Sequence, residues 1–230
     1  MANATRTSRN VLSAVILGAL LLTSCQDGVV TFTGGTALVR VFNAQTKTGA
    51  LRLVVDSATV LESLANGALS NTIAVPSGTY VLVETYGEEL AAPIRIASQR
   101  YVMADRQSYT IVVRGATITD YLRPIVDTSR SPFPDHAAIK VINAAEETFV
   151  TVIANDSTLG ESIVDAQTVM PFVPAATGAM RIRVLDADRN TPISADSTVV
   201  LERGVCYYLF VYDIRTGSAT TQRWFLWKVQ

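Results

Sequence analysis

Few residues in this chain have side chains that could do chemistry. The 230-residue sequence contains one histidine, His136, and two cysteines, Cys25 and Cys206. A catalytic nucleophile needs a base held within hydrogen-bond reach, and a metal site needs several ligands of these types. His136 follows a proline-containing segment, and the chain has no Cys-x-x-Cys motif. The sequence therefore predicts no catalytic residue, no metal site and no cofactor.

Cys25 is the residue whose surroundings predict a specific modification. It follows two arginines and an uncharged apolar run of twelve residues, 11–22. A helix needs about 20 residues to span a bilayer, so residues 1–24 are interpreted as a cleaved signal peptide. Leu22-Thr-Ser-Cys25 resembles the lipobox of bacterial lipoproteins, which implies cleavage before Cys25 and its lipidation. The alternative is an ordinary secretory signal followed by a chance cysteine.

Lipidation of Cys25 implies a location. A diacylglyceryl thioether plus an amide-linked acyl chain gives the several chains that stable membrane anchoring requires. Residues 25–36, rich in Thr and Gly, are interpreted as a lipidated tether. Gln26 after the cysteine resembles the signal for outer-membrane sorting in Gram-negative bacteria. We therefore expect a protein of the bacterial cell envelope, on the periplasmic or surface face of the outer membrane in such a host.

Composition excludes two classes of protein. With 49% hydrophobic residues and balanced charge, the chain can bury a core and is not a disordered tail. The 19 basic residues are matched by 20 acidic ones. There is no basic excess to neutralise phosphates, so nucleic acid is not an expected partner.

An internal repeat divides the rest of the chain. Residues 37–44 and 137–144 share four identical positions at an offset of 100, and residues 108–113 match residues 206–211 with two residues lost. The matches occur in the same order along the chain, which indicates two tandem copies. The segment between them, residues 127–136, has two prolines and polar residues typical of a linker.

Each copy has the pattern of a β domain. Short runs rich in Val, Ile, Thr and Tyr alternate with turn-forming residues such as Pro76-Ser-Gly78. Helical periodicity is convincing only in the signal peptide. The sequence thus predicts an all-β protein with two tandem immunoglobulin-like β-sandwich domains, residues 37–126 and 137–230.

The first copy resembles a known bacterial family. Four segments carry the resemblance: Ala37-Leu-Val-Arg-Val-Phe-Asn-Ala44, Val60-Leu61 with Leu64-Ala-Asn-Gly67, Val75-Pro-Ser-Gly-Thr-Tyr80, and Gln107-Ser-Tyr-Thr-Ile-Val112. Together they resemble DUF4397, a domain of unknown function. The resemblance implies immunoglobulin-type sandwiches, often in tandem on secreted or lipid-anchored proteins. The second copy departs from the pattern near residues 163–166 and 174–178, and no catalytic residue is implied by these turn and core motifs.

An aromatic stripe in the second copy is the strongest candidate for a binding surface. Alternation predicts that Tyr207, Leu209 and Val211 face the core. The opposite face is mostly polar in copy one but aromatic in copy two. We therefore expect a ligand or partner surface formed by Tyr208, Phe210, Tyr212, Trp224 and Trp227. The alternatives are that this face packs on the other domain, packs on Trp224 or Trp227, or belongs to a thicker core.

One loop partly resembles a calcium-binding loop. Asp186-Ala-Asp188-Arg-Asn190 has the first three ligand spacings, but Thr191 replaces the glycine and Ser197 replaces the terminal glutamate. Because Asp and Asn favour turns, the segment is interpreted as an acidic hairpin turn.

Three classes of function follow. A non-catalytic binding or scaffold module, with an envelope protein partner, is the main hypothesis because catalytic groups are scarce. A glycan-binding or adhesin component using the aromatic face is the alternative. A glycoside hydrolase would need a pair of carboxylates. The candidates for such a pair are Asp56, Glu84, Asp156 and Asp186.

Overall fold

A computed structural model of the chain describes residues 35–46, 50–55, 58–78, 80–89, 92–115, 122–216 and 219–229. The predicted signal peptide, Cys25 and all but the last two residues of the tether lie outside the described residues. Within those ranges the regular structure is entirely β-strand, and no helix long and apolar enough to cross a membrane is present. The predicted all-β class is confirmed. The described residues belong to one compact unit, Gly34–Gln230.

Eighteen strands are described, eight of them before residue 127. The first eight are β1 (Thr36–Gln45), β2 (Ala50–Val55), β3 (Ala58–Ala65), β4 (Ile73–Pro76), β5 (Tyr80–Glu89), β6 (Ala92–Val102), β7 (Ser108–Gly115) and β8 (Leu122–Val126). The other ten are β9 (Ala137–Asn143), β10 (Val150–Ala154), β11 (Ser157–Thr158), β12 (Thr168–Val169), β13 (Val173–Ala175), β14 (Gly178–Asp186), β15 (Thr191–Pro192), β16 (Ser197–Leu201), β17 (Cys206–Thr216) and β18 (Ala219–Lys228). We call residues 35–126 the first half and residues 137–229 the second half.

Each half contains two sheets. In the first half their strand orders are β4-β1-β7-β8 and β3-β2-β5-β6. In the second half one sheet has the order β12-β9-β17-β18 with β13 also paired to β9, and the other has the order β11-β10-β14-β15 with β16 also paired to β14. The order β13-β9-β17-β18 therefore repeats β4-β1-β7-β8, and β11-β10-β14-β16 repeats β3-β2-β5-β6.

One strand pair in each half is parallel. Strand β1 runs parallel to β7, with Val39 opposite Tyr109, and β9 runs parallel to β17, with Ile139 opposite Tyr207. The other pairings between named strands in the described residues are antiparallel. A parallel pair needs a long connection, and here the intervening strands of each half supply it.

A hydrophobic core lies between the two sheets of each half. In the first half, Val39 and Ile111 from one sheet are buried in the same cluster as Leu51 and Leu53 from the other. In the second half, Tyr207, Leu209 and Val211 of β17 are buried with side chains of β10 and β14. The predicted core-facing set of β17 is confirmed. Because side chains alternate along a strand, the neighbouring β17 residues must lie on the other side of the sheet.

Two buried asparagines fix corresponding corners of the halves. Asn143 is the last residue of β9, Asn43 lies two residues before the end of β1, and both are fully buried. The Asn43 amide donates to the Leu64 carbonyl at 2.8 Å, and the Asn143 amide donates to the carbonyls of Thr148, Val164 and Asp165. Each side-chain oxygen also accepts the backbone N–H two residues further on. The bonds to the Leu64 and Val164 carbonyls are buried, so they satisfy acceptors that are shielded from water.

Replacement of Asn143 with alanine is expected to lower the free energy of unfolding by about 1–3 kcal/mol, because the buried Val164 carbonyl loses its donor. Urea unfolding followed by tryptophan fluorescence measures the change. Asn71→Ala is the control, since Asn71 is exposed, and it should change stability by less than about 0.5 kcal/mol. Equal effects of the two substitutions would show that the Asn143 amide does not stabilise this corner.

The Asp186 segment forms a hairpin turn between β14 and β15. Leu185 lies opposite Pro192 and Asp186 opposite Thr191. One carboxylate oxygen of Asp186 accepts the backbone N–H groups of Asp188 and Arg189, both at 3.1 Å. These are the contacts of an aspartate that closes a turn on its own backbone, so the interpretation as an acidic hairpin turn is confirmed.

Candidate functional site

The aromatic face of β17 packs against the first half. Cys206, Tyr208, Phe210 and Tyr212 alternate with the core-facing residues of this strand, as expected. They form one buried cluster with side chains of β1, β7 and β8, which we call the interface cluster. Its members are Phe42, Ala44, Val112, Ile125, Ala138, Ile142, Ala144, Cys206, Tyr208, Phe210, Tyr212 and Val229.

Aromatic rings from both halves meet at the centre of this cluster. The Phe210 ring centroid lies 4.4 Å from that of Phe42 and 5.0 Å from that of Phe225. Phe42 also meets the edge of Tyr212, with centroids 5.3 Å apart and planes at 88°. Such tilted and edge-to-face pairs stabilise packing beyond their buried area. The cluster therefore joins the halves by specific ring contacts.

The two tryptophans of β18 lie on opposite sides of its sheet. Trp227 is half-buried beside Tyr208, with ring centroids 5.7 Å apart, and the guanidinium carbon of Arg40 lies 4.9 Å from its ring centroid. Trp224 is half-buried against the core of the second half. Its indole N–H is buried and has no hydrogen-bond partner among the described residues.

These positions correct the prediction of a free aromatic surface. Tyr208 and Phe210 are 0% exposed and Tyr212 is 8% exposed. A ligand surface requires accessible side chains, whereas these three contact the first half. Packing on the other half, the alternative drawn from the sequence, describes where they lie. Trp224 does not share a face with Tyr208, so the five residues do not form one patch.

A buried carboxylate lies at the edge of the interface cluster. Asp127 follows β8, and its side chain is 2% exposed. Its Oδ1 atom accepts the Thr110 hydroxyl at 2.8 Å and the Tyr208 hydroxyl at 3.2 Å. Its Oδ2 atom lies 3.9 Å from Nη1 of Arg40 and has no hydrogen-bond partner among the described residues. Asp127 thus contacts both halves.

Burial is the largest influence on the pKa values of Asp127 and Cys206. Loss of hydration raises the pKa of the Asp127 carboxyl, against the opposing effects of the Thr110 and Tyr208 hydroxyls and of the cations Arg40 and Lys140. Burial also raises the pKa of the Cys206 thiol to about 11. A thiol with so high a pKa is protonated at neutral pH and is a poor nucleophile.

Sequence reasoning missed Asp127, which was assigned to a linker. A signal for the site does exist in the repeat. Arg40 and Lys140 occupy equivalent positions, and Thr110 is equivalent to Tyr208. In the sheets Arg40 lies opposite Thr110, and Lys140 lies opposite Tyr208. A cross-strand pair from each half, at positions that match in the sequence, therefore faces the connecting segment.

A glycine allows a close approach between the halves. Gly67 lies in the turn after β3 and has a φ angle of +77°, a conformation that glycine adopts without strain. A Cβ atom at this position would lie 2.5 Å from Cε2 of Tyr212. The absence of a side chain at Gly67 therefore makes room for the Tyr212 ring.

A polar cleft of about 440 Å³ lies in the second half. We call it the acidic cleft; it is lined by Glu146, Glu147, Thr148, Asp186, Asp188, Arg189, Asp213, Thr220 and Gln222. Its two buried carboxylates already have partners. Asp213 accepts the Glu146 N–H at 2.8 Å and the Gln222 amide at 3.1 Å, while Asp186 closes its turn. These contacts assign both carboxylates to structural roles.

The carboxylates proposed for a hydrolase are dispersed. Only Asp186 lines the acidic cleft; Glu84 lies on β5, Asp156 lies in an exposed turn, and Asp56 lies outside the described residues. His136 is exposed, and its backbone contacts Phe133 and Gly204. Within the described ranges, no group of three or more His, Cys, Asp or Glu side chains is placed to hold a metal ion.

Comparison with known proteins finds a similarity to one family over part of the chain. No curated protein matches the chain. The matching residues, 37–149, cover the strands of the first half, the connecting segment and the first strand of the second half. Residues 37–149 match, as a single copy, the family model described as a domain of unknown function, DUF4397, and over these residues the chain is similar to that family.

Proposed function

We propose that this chain is a lipid-anchored protein of the bacterial cell envelope that acts as a non-catalytic binding or scaffold module. Two tandem immunoglobulin-like β-sandwich domains, residues 37–126 and 137–230, form the module. The observation that carries the proposal is the interface cluster, in which the aromatic face of the second half is buried against the first half. A fixed pair of domains suits a protein that presents binding surfaces or holds its partners a fixed distance apart.

Matching hydrogen bonds support two tandem copies. The N–H of Ser70 donates to the Val41 carbonyl, and the N–H of Met170 donates to the Val141 carbonyl, both at an offset of 100. The paired asparagines and the repeated strand orders agree with these bonds. Shared strand order could arise by chance in two β domains, but the same side-chain contacts at equivalent positions favour duplication.

A tyrosine contact supports the immunoglobulin-like assignment. The Tyr109 hydroxyl accepts the N–H of Ala104, and the Tyr207 hydroxyl accepts the N–H of Glu202, both at 2.9 Å and across five residues. Each tyrosine lies at the start of a central strand and bonds the backbone just upstream, as in the tyrosine corner of immunoglobulin-like domains. The parallel β1–β7 pair departs from a purely antiparallel sandwich.

The scaffold role is tested by the distance between the domains. In the full chain carrying Cys25→Ser, spin labels are placed at the exposed positions Asn71 and Glu161, each changed to cysteine, while Cys206 is buried. We expect one narrow distance distribution, because the interface cluster holds the domains in one arrangement. A broad distribution would argue against a fixed scaffold. In parallel, hydrolysis of a panel of glycosides would contradict the non-catalytic proposal, and binding to a glycan array would favour the glycan-binding alternative.

Lipidation makes a separate prediction. In a bacterial host, the full chain is expected to incorporate labelled palmitate and to sediment with membranes, whereas Cys25→Ala loses the label and the sedimentation. Cys206→Ala is the matched control: because Cys206 is buried, its removal should leave the labelling unchanged. Labelling that persists in Cys25→Ala would refute the proposed anchor.

A further inference from the structure

One carboxylate receives a hydrogen bond from each half of the molecule. Thr110 donates to Asp127 from β7 of the first half, and Tyr208 donates to the same oxygen from β17 of the second half. Asp127 also anchors the connecting segment, because its backbone N–H donates to the Ser108 carbonyl at 2.9 Å. Its position therefore depends on the packing of both halves.

The charged and titratable groups around Asp127 come from all four surrounding strands. Arg40 on β1 and Lys140 on β9 are the cations, and Thr110 on β7 and Tyr208 on β17 are the hydroxyl donors. Both cations also lie over aromatic rings. Arg40 is above Trp227, and Nζ of Lys140 is 4.4 Å from the centroid of Phe172.

The Asp127 carboxylate is shielded from water, and neighbouring groups compensate its negative charge only in part. Oδ2 of Asp127 is buried without a hydrogen-bond partner in the described part of the chain, and Arg40 approaches only to 3.9 Å. An ionised group in this situation loses hydration that its neighbours do not fully replace. If the halves moved apart, Asp127 would lie in an exposed connecting segment and recover that hydration.

We infer that Asp127 is a proton-sensitive clasp between the halves: uptake of a proton by its carboxyl group tightens their packing, and loss of that proton loosens it. The inference goes beyond the proposed function, since it requires two packed halves but neither lipidation nor a particular partner.

The direction of the effect follows from proton linkage. Burial raises the pKa of Asp127 above its ordinary value of 3.8 in the packed form. Between the ordinary and the raised value, the packed form binds more protons than the separated form. Packing is therefore weakened as the pH rises through the raised pKa and is strengthened as the pH falls through it.

Cys206 is a reporter for this equilibrium. It is fully buried in the interface cluster, and in the full chain carrying Cys25→Ser it is the sole thiol. Labelling by 4,4′-dithiodipyridine, which reacts in acid and at neutral pH, is compared with labelling of the urea-unfolded chain at the same pH. The ratio of the two rates gives a protection factor. We expect it to increase severalfold from about pH 7.5 to about pH 4, as the pH falls through the raised pKa of Asp127.

Two variants and a control separate the clasp from other effects of pH. Asp127→Asn keeps an oxygen acceptor but does not titrate, so its protection factor should be equal at both pH values. Tyr208→Phe removes a hydrogen bond that lowers the pKa of Asp127, so the increase in protection should occur at a higher pH. Asp213→Asn, at another buried aspartate, should retain the response of the unsubstituted chain.

The inference is overturned by any of three results. These are a protection factor of Cys206 that does not change with pH, an unchanged pH response in Asp127→Asn, and a response lost equally in Asp213→Asn. If Asp127→Asn does not fold, the shift expected in Tyr208→Phe decides, because a midpoint that stays in place or moves to lower pH excludes Asp127 as the titrating group.

Discussion

Replacement of Phe210 with alanine is expected to lower the free energy of unfolding by about 3–5 kcal/mol, the range for truncating a fully buried phenylalanine. Phe210 is 0% exposed and lies between Phe42 of the first half and Phe225 of β18. Its removal leaves a cavity lined by rings that the rigid sheets on both sides cannot close. The upper part of the range is expected because both sheets would have to move together to fill the space.

This substitution should also uncouple the halves. In urea unfolding we expect the cooperative transition to occur at a lower urea concentration, and we expect the Cys206 thiol to react faster under native conditions. Phe149→Ala is the matched control, since Phe149 is 38% exposed outside the interface cluster, and it should cost less than about 1 kcal/mol. A loss of stability in Phe210→Ala no larger than in Phe149→Ala would show that the cluster does not hold the halves together.

The alternating pattern of β17 predicted which of its side chains face the core, but not what covers the others. Period-two alternation identified Tyr207, Leu209 and Val211 as the inward face, because a sheet with a core on one side requires one apolar face. It could not identify what covers Tyr208 and Phe210. An aromatic face has the same apolar residue types whether it binds a ligand or packs on another domain. The choice depends on which sheet lies opposite, and no local pattern in β17 encodes it.

The same limit explains the miss at Asp127. Two prolines and several polar residues between 127 and 136 indicate a connection, and the segment does connect the halves. Burial of its first residue depends on hydroxyls that lie 17 and 81 positions away in the sequence. Likewise, alternation predicted strands but not the parallel β1–β7 pair, because the pattern of one strand does not specify its neighbour.

Gly67→Ala is expected to cost about 2–4 kcal/mol, combining the strain of a left-handed conformation with overpacking. In the sequence, Asn66-Gly67 belongs to one of the segments that resemble the family, and the structure adds a contact across the halves. A new Cβ would lie 2.5 Å from the Tyr212 ring, closer than side chains tolerate. Because Tyr212 also packs on Phe42 and Phe225, the ring cannot retreat without disturbing the interface cluster.

Gly204→Ala separates the cost of backbone strain from the cost of overpacking. Gly204 has nearly the same φ angle, +74°, but no atom lies within 4 Å of its Cβ position. It should therefore show only the backbone strain, about 1–2 kcal/mol. A second test places Gly67→Ala in a Tyr212→Ala background, where the steric part of its cost should disappear. If Gly67→Ala costs the same as Gly204→Ala, or the same with and without the Tyr212 ring, backbone strain alone explains the glycine. An excess cost that depends on Tyr212 would instead identify Gly67 as the position that lets the two halves reach each other.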